Sequence, residues 1–176
     1  MNMKKHQIGI FGLVLLVAVT LGLAQGDKDK AKKTQAAAGK AEQSHTMINP
    51  NDVKWGPVPP ALPAGAQFAV LSGDPLKAGP FTIRLKAPAG YKIMPHWHPT
   101  DENVTVLEGT FAMGVGDKFD EAAAHDMTAG SFVRMPKGTR HYAMAKGETV
   151  VQVHAIGPFV INYVNPNDDP RKQAKK

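Results

Sequence analysis

The chain has 176 residues, no cysteine and a formal net charge of +6. Without cysteine, disulfides, thiolate metal sites and a cysteine nucleophile are excluded, and any transition metal must be held by nitrogen and oxygen. The charge invites a nucleic-acid or membrane partner, but residues 45–170 carry 10 basic and 12 acidic side chains, so the excess lies in the tails. No interleaving of aromatic and basic residues marks a nucleic-acid groove, and no nucleic-acid partner is expected.

Residues 1–24 begin with Lys4 and Lys5 and continue as an apolar run from Ile8 to Ala24. This is the order of a secretory signal peptide, with small residues, Gly22 and Ala24, at the −3 and −1 positions of a cleavage point before Gln25. The run also approaches the length of a spanning helix, so the competing reading is an uncleaved anchor. The small residues favour cleavage. The expectation is export to the periplasm or beyond the cell, with no stable membrane association after cleavage. The absence of cysteine excludes a lipoprotein anchor, and the lysine pair is not a twin-arginine signal.

Residues 25–45 are rich in Lys, Ala, Asp and Gln without apolar periodicity, which predicts a disordered linker. From Thr46 prolines and glycines become frequent, predicting an extended arm that Trp55 and Val58 could pack against a sheet. Short strands then alternate with turn signals. Residues 67–71 and 81–86 come first, the latter with Phe81, Ile83 and Leu85 on one face and Thr82, Arg84 and Lys86 on the other. A strand bearing histidines follows Gly90, and residues 104–107, 110–115, 132–135, 141–144, 149–156 and 159–164 complete the series. Residues 118–125, with Ala122 to Ala124, could hold a helical turn. The basic tail occupies residues 167–176. The pattern is all-β, a sandwich or barrel.

The chemistry-bearing residues lie in the histidine strand. His96 and His98 are two apart, so in an extended segment both project from one face. Glu102, beyond Pro99, can fold back towards them across a short bend. Two nitrogens and one oxygen converging on a point begin a divalent-metal site. Met94 shares the parity of His96 and could line the same pocket, as filler more often than as ligand. Trp97 takes the opposite parity. His154 is either a pocket acid/base or an exposed polar residue, with the second favoured. Tyr142 and Arg84 fall on faces away from the pocket, and His45 and His125 fall in loops. The segment from Asp117 to Asp120 reads as a solvated loop, with a lid as the alternative.

Two spaced patterns bind these observations together: Gly90-x5-His96-x-His98-x3-Glu102-x6-Gly109 and Gly130-x5-Pro136-x-Gly138-x2-His141. They resemble the two signature motifs of the cupin superfamily. The only departure is Ala145, where the family often has asparagine. The resemblance extends over residues 46–166 and implies a small antiparallel jelly-roll (cupin) β-barrel with an N-terminal extended arm. It further implies one divalent metal, Mn, Fe, Ni, Cu or Zn, bound by His96, His98, Glu102 and His141. Pairing through the sheets as a homodimer is also implied. Three imidazoles and a carboxylate leave two positions of an octahedron for water, dioxygen or a small-molecule substrate. That set suits a metal-dependent dioxygenase or decarboxylase acting on a small oxygen-rich molecule. The alternative is a non-catalytic cupin that binds a small molecule or uses the metal as a structural staple. No residue in the sequence stands out as a separate general acid or base.

Overall fold

The computed structural model describes residues 45–173. Residues 1–44, read above as a signal peptide and a linker, lie outside the described residues, as do the last three residues of the tail. The described residues form 11 strands in two antiparallel sheets. In chain order these are β1 (Gly56–Pro57), β2 (Gln67–Ser72), β3 (Gly79–Ala87), β4 (Lys92–Trp97), β5 (Glu102–Glu108), β6 (Thr110–Val115), β7 (His125–Thr128), β8 (Phe132–Met135), β9 (His141–Ala145), β10 (Thr149–Gly157) and β11 (Asn162–Tyr163). One sheet runs β1-β2-β3-β10-β5-β8, the other β11-β4-β9-β6-β7. This is the expected all-β jelly roll, built as two facing ladders and not as one continuously hydrogen-bonded cylinder.

The alternation in β3 acts as the sequence predicts. Phe81, Ile83, Leu85 and Ala87 are buried, while Thr82, Arg84 and Lys86 point outwards. Val104 and Val106 of β5 and Val151 and Val153 of β10 continue that inner face, opposite Ile93, Phe111, Met113 and Ala143 of the smaller sheet. Each such side chain contributes roughly 1.5–3 kcal/mol on leaving water, so this layer is the main stabilising element. Gly109 sits alone between β5 and β6 with φ +75°. A Cβ there would be strained by that backbone and would collide with the Glu148 carbonyl and Thr149.

The arm docks as predicted at two points. Val58 packs on the core, and Gly56–Pro57 pairs with β2. Trp55 and the buried Val53 lie against Arg84, Lys86 and Val150 on the outside of the larger sheet. Beyond β11, the buried Asp169 forms a bidentate pair with Arg171, whose Nη2 also donates to the Ile161 carbonyl at 2.9 Å.

Two expectations fail for identifiable reasons, and a third holds only as a single turn. Within residues 118–125 the Ala124 amide donates to the Glu121 carbonyl at 3.3 Å and the Asp120 carboxylate caps the Ala122 and Ala123 amides, but no helix follows before β7 begins. His125 is not in a loop but opens β7, pairing with Met113 at the sheet edge. In the closing segment only Asn162–Tyr163 is a strand, because Pro158 has no amide to give and the Phe159 amide bonds instead to the Pro75 carbonyl.

Candidate metal centre

His96, His98, Glu102 and His141 come together between the sheets, and all four are buried. His96 is near the end of β4 and pairs across the ladder with His141, the first residue of β9. His98 stands one residue beyond β4, and Glu102 opens β5. The second motif clamps the loop between them. Gly138, at φ +76°, donates its amide to the His98 carbonyl at 2.8 Å. Asp101 accepts from the Lys137 amide at 2.9 Å and from Arg134 Nη2 at 2.6 Å. Those two donors hold the Asp101 carboxyl below the usual carboxylate range.

The strand does not reach the site with simple alternation. The β4–β9 register shifts between Ile93 and His96, placing one extra residue in β4. The bulge lets Ile93 and His96, three positions apart, both line the cavity. Met94 is therefore turned away from it, contrary to the parity argument. Trp97 is directed away from the cavity, as expected.

Each imidazole is oriented through Nδ1, which meets a backbone carbonyl: Met94 for His96 at 2.8 Å, Val160 for His98 at 2.9 Å and Thr139 for His141 at 3.0 Å. A carbonyl can only accept, so the proton of each neutral ring sits on Nδ1 and the Nε2 lone pair is left for the interior. The three histidines' ligand atoms lie within 4.8 Å of one another. Glu102 Oε2 approaches Nε2 of His141 at 3.1 Å and Nε2 of His98 at 3.7 Å. Neither approach has hydrogen-bond geometry, and both His98 Nε2 and Glu102 Oε2 are buried without a partner. Leaving such atoms dry and unpaired is unfavourable by about 1–3 kcal/mol each, and a cation between them would remove that penalty. The donor set, nitrogen and carboxylate oxygen with carbonyl-anchored imidazoles, fits a divalent transition metal.

The electrostatics agree with a site poised to receive positive charge. Burial, reinforced by His141 and His98, drives the His96 imidazole down to about 3. His98 is also lowered, by burial above all. Burial alone would raise Glu102, but the surrounding histidines, led by His141, bring its carboxyl down to about 2. Burial pulls His141 down too, yet the adjacent Glu102 carboxylate more than offsets this and raises it.

The cavity in front of these residues holds about 60 Å³. Its only polar lining residues are the three histidines and Glu102; the remainder are apolar, including Leu62, Ile83, Val104, Phe111 and Met113. One lining residue, Phe159, gave no signal in the sequence: it carries no chemistry and reaches His98 from far along the chain. Thr100, whose buried Oγ1 also lacks a partner, was equally silent. The remaining candidates stand apart. His154 is exposed, bonded to Thr82 and Gln152, and Arg84 bonds to Gln152 on the same outer face. The Asp117–Asp120 segment is no lid, since the Asp120 carbonyl accepts from Tyr142 and Phe119 packs on the Tyr142 ring, on the side of β9 away from His141. Ala145 is fully buried in the core, where an asparagine amide would need partners of its own.

Two antiparallel sheets enclosing a histidine cluster on paired glycine-bounded motifs define a cupin, with three buried histidines able to hold a metal ion. The chain belongs to the ChrR cupin-like family, whose sequence profile matches residues 43–160. Solved structures of similar fold include the polyketide cyclase RemF from Streptomyces resistomycificus, at 17% identity and TM-score 0.61 over 76% of this chain and 94% of that one. An acetylacetone dioxygenase from Acinetobacter johnsonii matches at 19% identity and TM-score 0.54, over 75% and 89% of the two chains. An RmlC-like cupin from Shewanella frigidimarina matches at 15% identity and TM-score 0.50, over 64% and 91%. No curated protein matches the chain.

Proposed function

We propose that this protein is an exported cupin that holds one divalent transition metal through His96, His98, Glu102 and His141 and acts on a small, largely apolar molecule carrying one or two oxygen donors. The observation that carries this reading is the pair of buried, partnerless atoms, His98 Nε2 and Glu102 Oε2, facing each other at 3.7 Å in an apolar cavity. When bound, the metal would supply Lewis acidity and a template for substrate oxygens, and with Mn, Fe, Ni or Cu access to dioxygen chemistry. The residues do the rest. The imidazoles keep their Nδ1 protons on carbonyls and offer Nε2, the ionised Glu102 can accept a proton, and the apolar wall excludes water.

Among reaction classes, dioxygenation of a small enolisable or phenolic compound fits better than decarboxylation. No cationic or hydroxyl-bearing side chain lines the cavity to receive a second carboxylate. A fold shared with an acetylacetone dioxygenase supports that order without assigning the substrate. A second reading, a non-catalytic cupin with a structural metal, is favoured by the cavity's size of about 60 Å³. Ligand pockets usually span about 300–1,000 Å³. Export rests on the basic start and apolar run of residues 1–24, and homodimerisation on the family resemblance.

The test is elemental analysis of protein purified from an exporting host, followed by oxygen uptake with β-diketones, diphenols and flavonols and carbon dioxide release with oxalate. Stoichiometric metal that is lost in His96→Ala and His141→Ala, with oxygen uptake, supports the enzyme. Metal without turnover supports the second reading, and metal content unchanged in both variants rejects the site. Mass spectrometry of the purified chain's N-terminus reads the cleavage, and analytical ultracentrifugation reads the pairing.

A further inference from the structure

Of the residues lining the cavity, every one is buried except Phe159, which is partly exposed. Of the lining side chains it is the one most open to solvent. Its ring also stacks on His98, with centroids 4.1 Å apart and planes 14° from parallel. On the other side Phe81 meets it edge-on at 5.2 Å. The backbone is tied down, because the Phe159 amide donates to the Pro75 carbonyl at 2.7 Å and the next residue, Val160, presents its carbonyl to His98 Nδ1.

His98 differs from the other two histidines in how it is held. His96 and His141 bond to carbonyls two residues before them, so their own strands set their poses. His98 bonds to a carbonyl 62 residues away and leans on a ring from the same distant segment. Its orientation depends on the strap that follows β10, and the Asp169–Arg171 pair fastens that strap through the Ile161 carbonyl.

We propose that Phe159 both limits the size of molecule the cavity admits and is a positioning residue for the metal, its ring holding the His98 imidazole in place. The inference rests on the metal reading above and adds to it a residue that touches no metal. Because the same ring lines the cavity and covers one face of His98, removing it changes access and coordination together.

The experiment uses the chain stripped of metal and titrated with Co(II), followed by visible absorption, with azide as a small added ligand and 4-phenylimidazole as a large one. Wild type is expected to bind Co(II) and to change its spectrum with azide but not with 4-phenylimidazole. Phe159→Ala should bind Co(II) about tenfold more weakly, the lower end of the usual effect of an outer-sphere partner, and should respond to 4-phenylimidazole. Equal Co(II) affinity and equal discrimination in wild type and Phe159→Ala overturn the proposal. If Phe159→Ala does not fold by circular dichroism, Phe159→Leu decides, since it keeps apolar bulk but offers no planar face. Weakened Co(II) binding at an unchanged melting temperature of the metal-free protein supports the proposal, and unchanged binding overturns it. Failure of wild type to take up Co(II) overturns the metal reading and this inference with it, whereas uptake that no Phe159 variant alters overturns this inference alone.

Discussion

Histidines on two faces of the larger architecture show how differently one residue type can be used. On the outside, His154 meets Thr82 Oγ1 at 3.0 Å and Gln152 Nε2 at 2.9 Å, and Gln152 in turn accepts from Arg84 at 2.9 Å. Each of these side chains has a neighbour suited to it. Inside, His96, His98 and His141 spend Nδ1 on backbone carbonyls, and His98 Nε2 is left buried and unpartnered beside a Glu102 oxygen that is itself unpartnered. A network that closes on itself stabilises a surface, whereas one that leaves buried lone pairs aimed at a common point is held in readiness for something else.

The comparison breaks first on metal removal. A site of the proposed kind, saturated at a hundredfold excess over Kd, stabilises the fold by about 2.7 kcal/mol. Chelation should then lower the melting temperature by on the order of 10 °C in a domain of this size. His154→Ala should leave that difference intact, and His141→Ala should abolish it; calorimetry with and without chelator reads both. An equal loss in both variants would erase the distinction between the faces.

Acid provides the next test. The folded His96 sits at about 3 and the folded Glu102 at about 2, each below its ordinary value. In both cases the unfolded chain takes up the proton first, so stability is full above the unfolded value and is lost as pH falls towards the folded one. The metal-free protein should therefore lose melting temperature from about pH 6.5 down to pH 3, first through His96 and His98 and then through Glu102. His141, raised by Glu102, acts with the opposite sign and contributes stability that fades as pH climbs through its folded value. His96→Gln should flatten the upper part of the acid limb, and a pH series of thermal melts would show it. An unaltered slope would mean that His96 is not what the acid reaches.

A third test targets the back of β9. A Cβ at Gly114 would run into the Tyr142 ring, which is itself held by its bond to the Asp120 carbonyl. Gly114→Ala should destabilise by about 1–3 kcal/mol through overpacking while metal content stays constant. Chemical denaturation and elemental analysis on the same sample separate the two effects. The smallest expected change is His154→Ala itself, within about 0.5 kcal/mol, as for most exposed substitutions. A larger loss in denaturant titration would make the outer ladder a stabilising element in its own right.

Much of this is legible in the amino-acid sequence alone. The four converging side chains lie on two short patterns whose glycines, prolines and histidines are local in sequence; strict alternation marks β3, and turn signals bound most of the other strands. The misses share a cause: the deciding partner was distant or unforeseen. β7 is short and polar, and pairs at an edge where no buried face imprints alternation. The alanines at 122–124 read as helical, and Asp120 does cap one turn there, but the chain enters β7 at His125 before a helix can follow. Phe159 could be found only by knowing which ring it stacks on. Met94 was misplaced because parity arguments assume a regular strand.

That irregularity has a consequence of its own. Up to Ile93, β4 presents odd-numbered residues to the interior, and from His96 onwards it presents even-numbered ones. The bulge acts as an address written into the backbone, marking where along a single strand packing gives way to coordination. Moving that mark two positions towards Trp97 would turn Pro95 inward in place of His96. A family of barrels could exchange one interior chemistry for another through so small an edit.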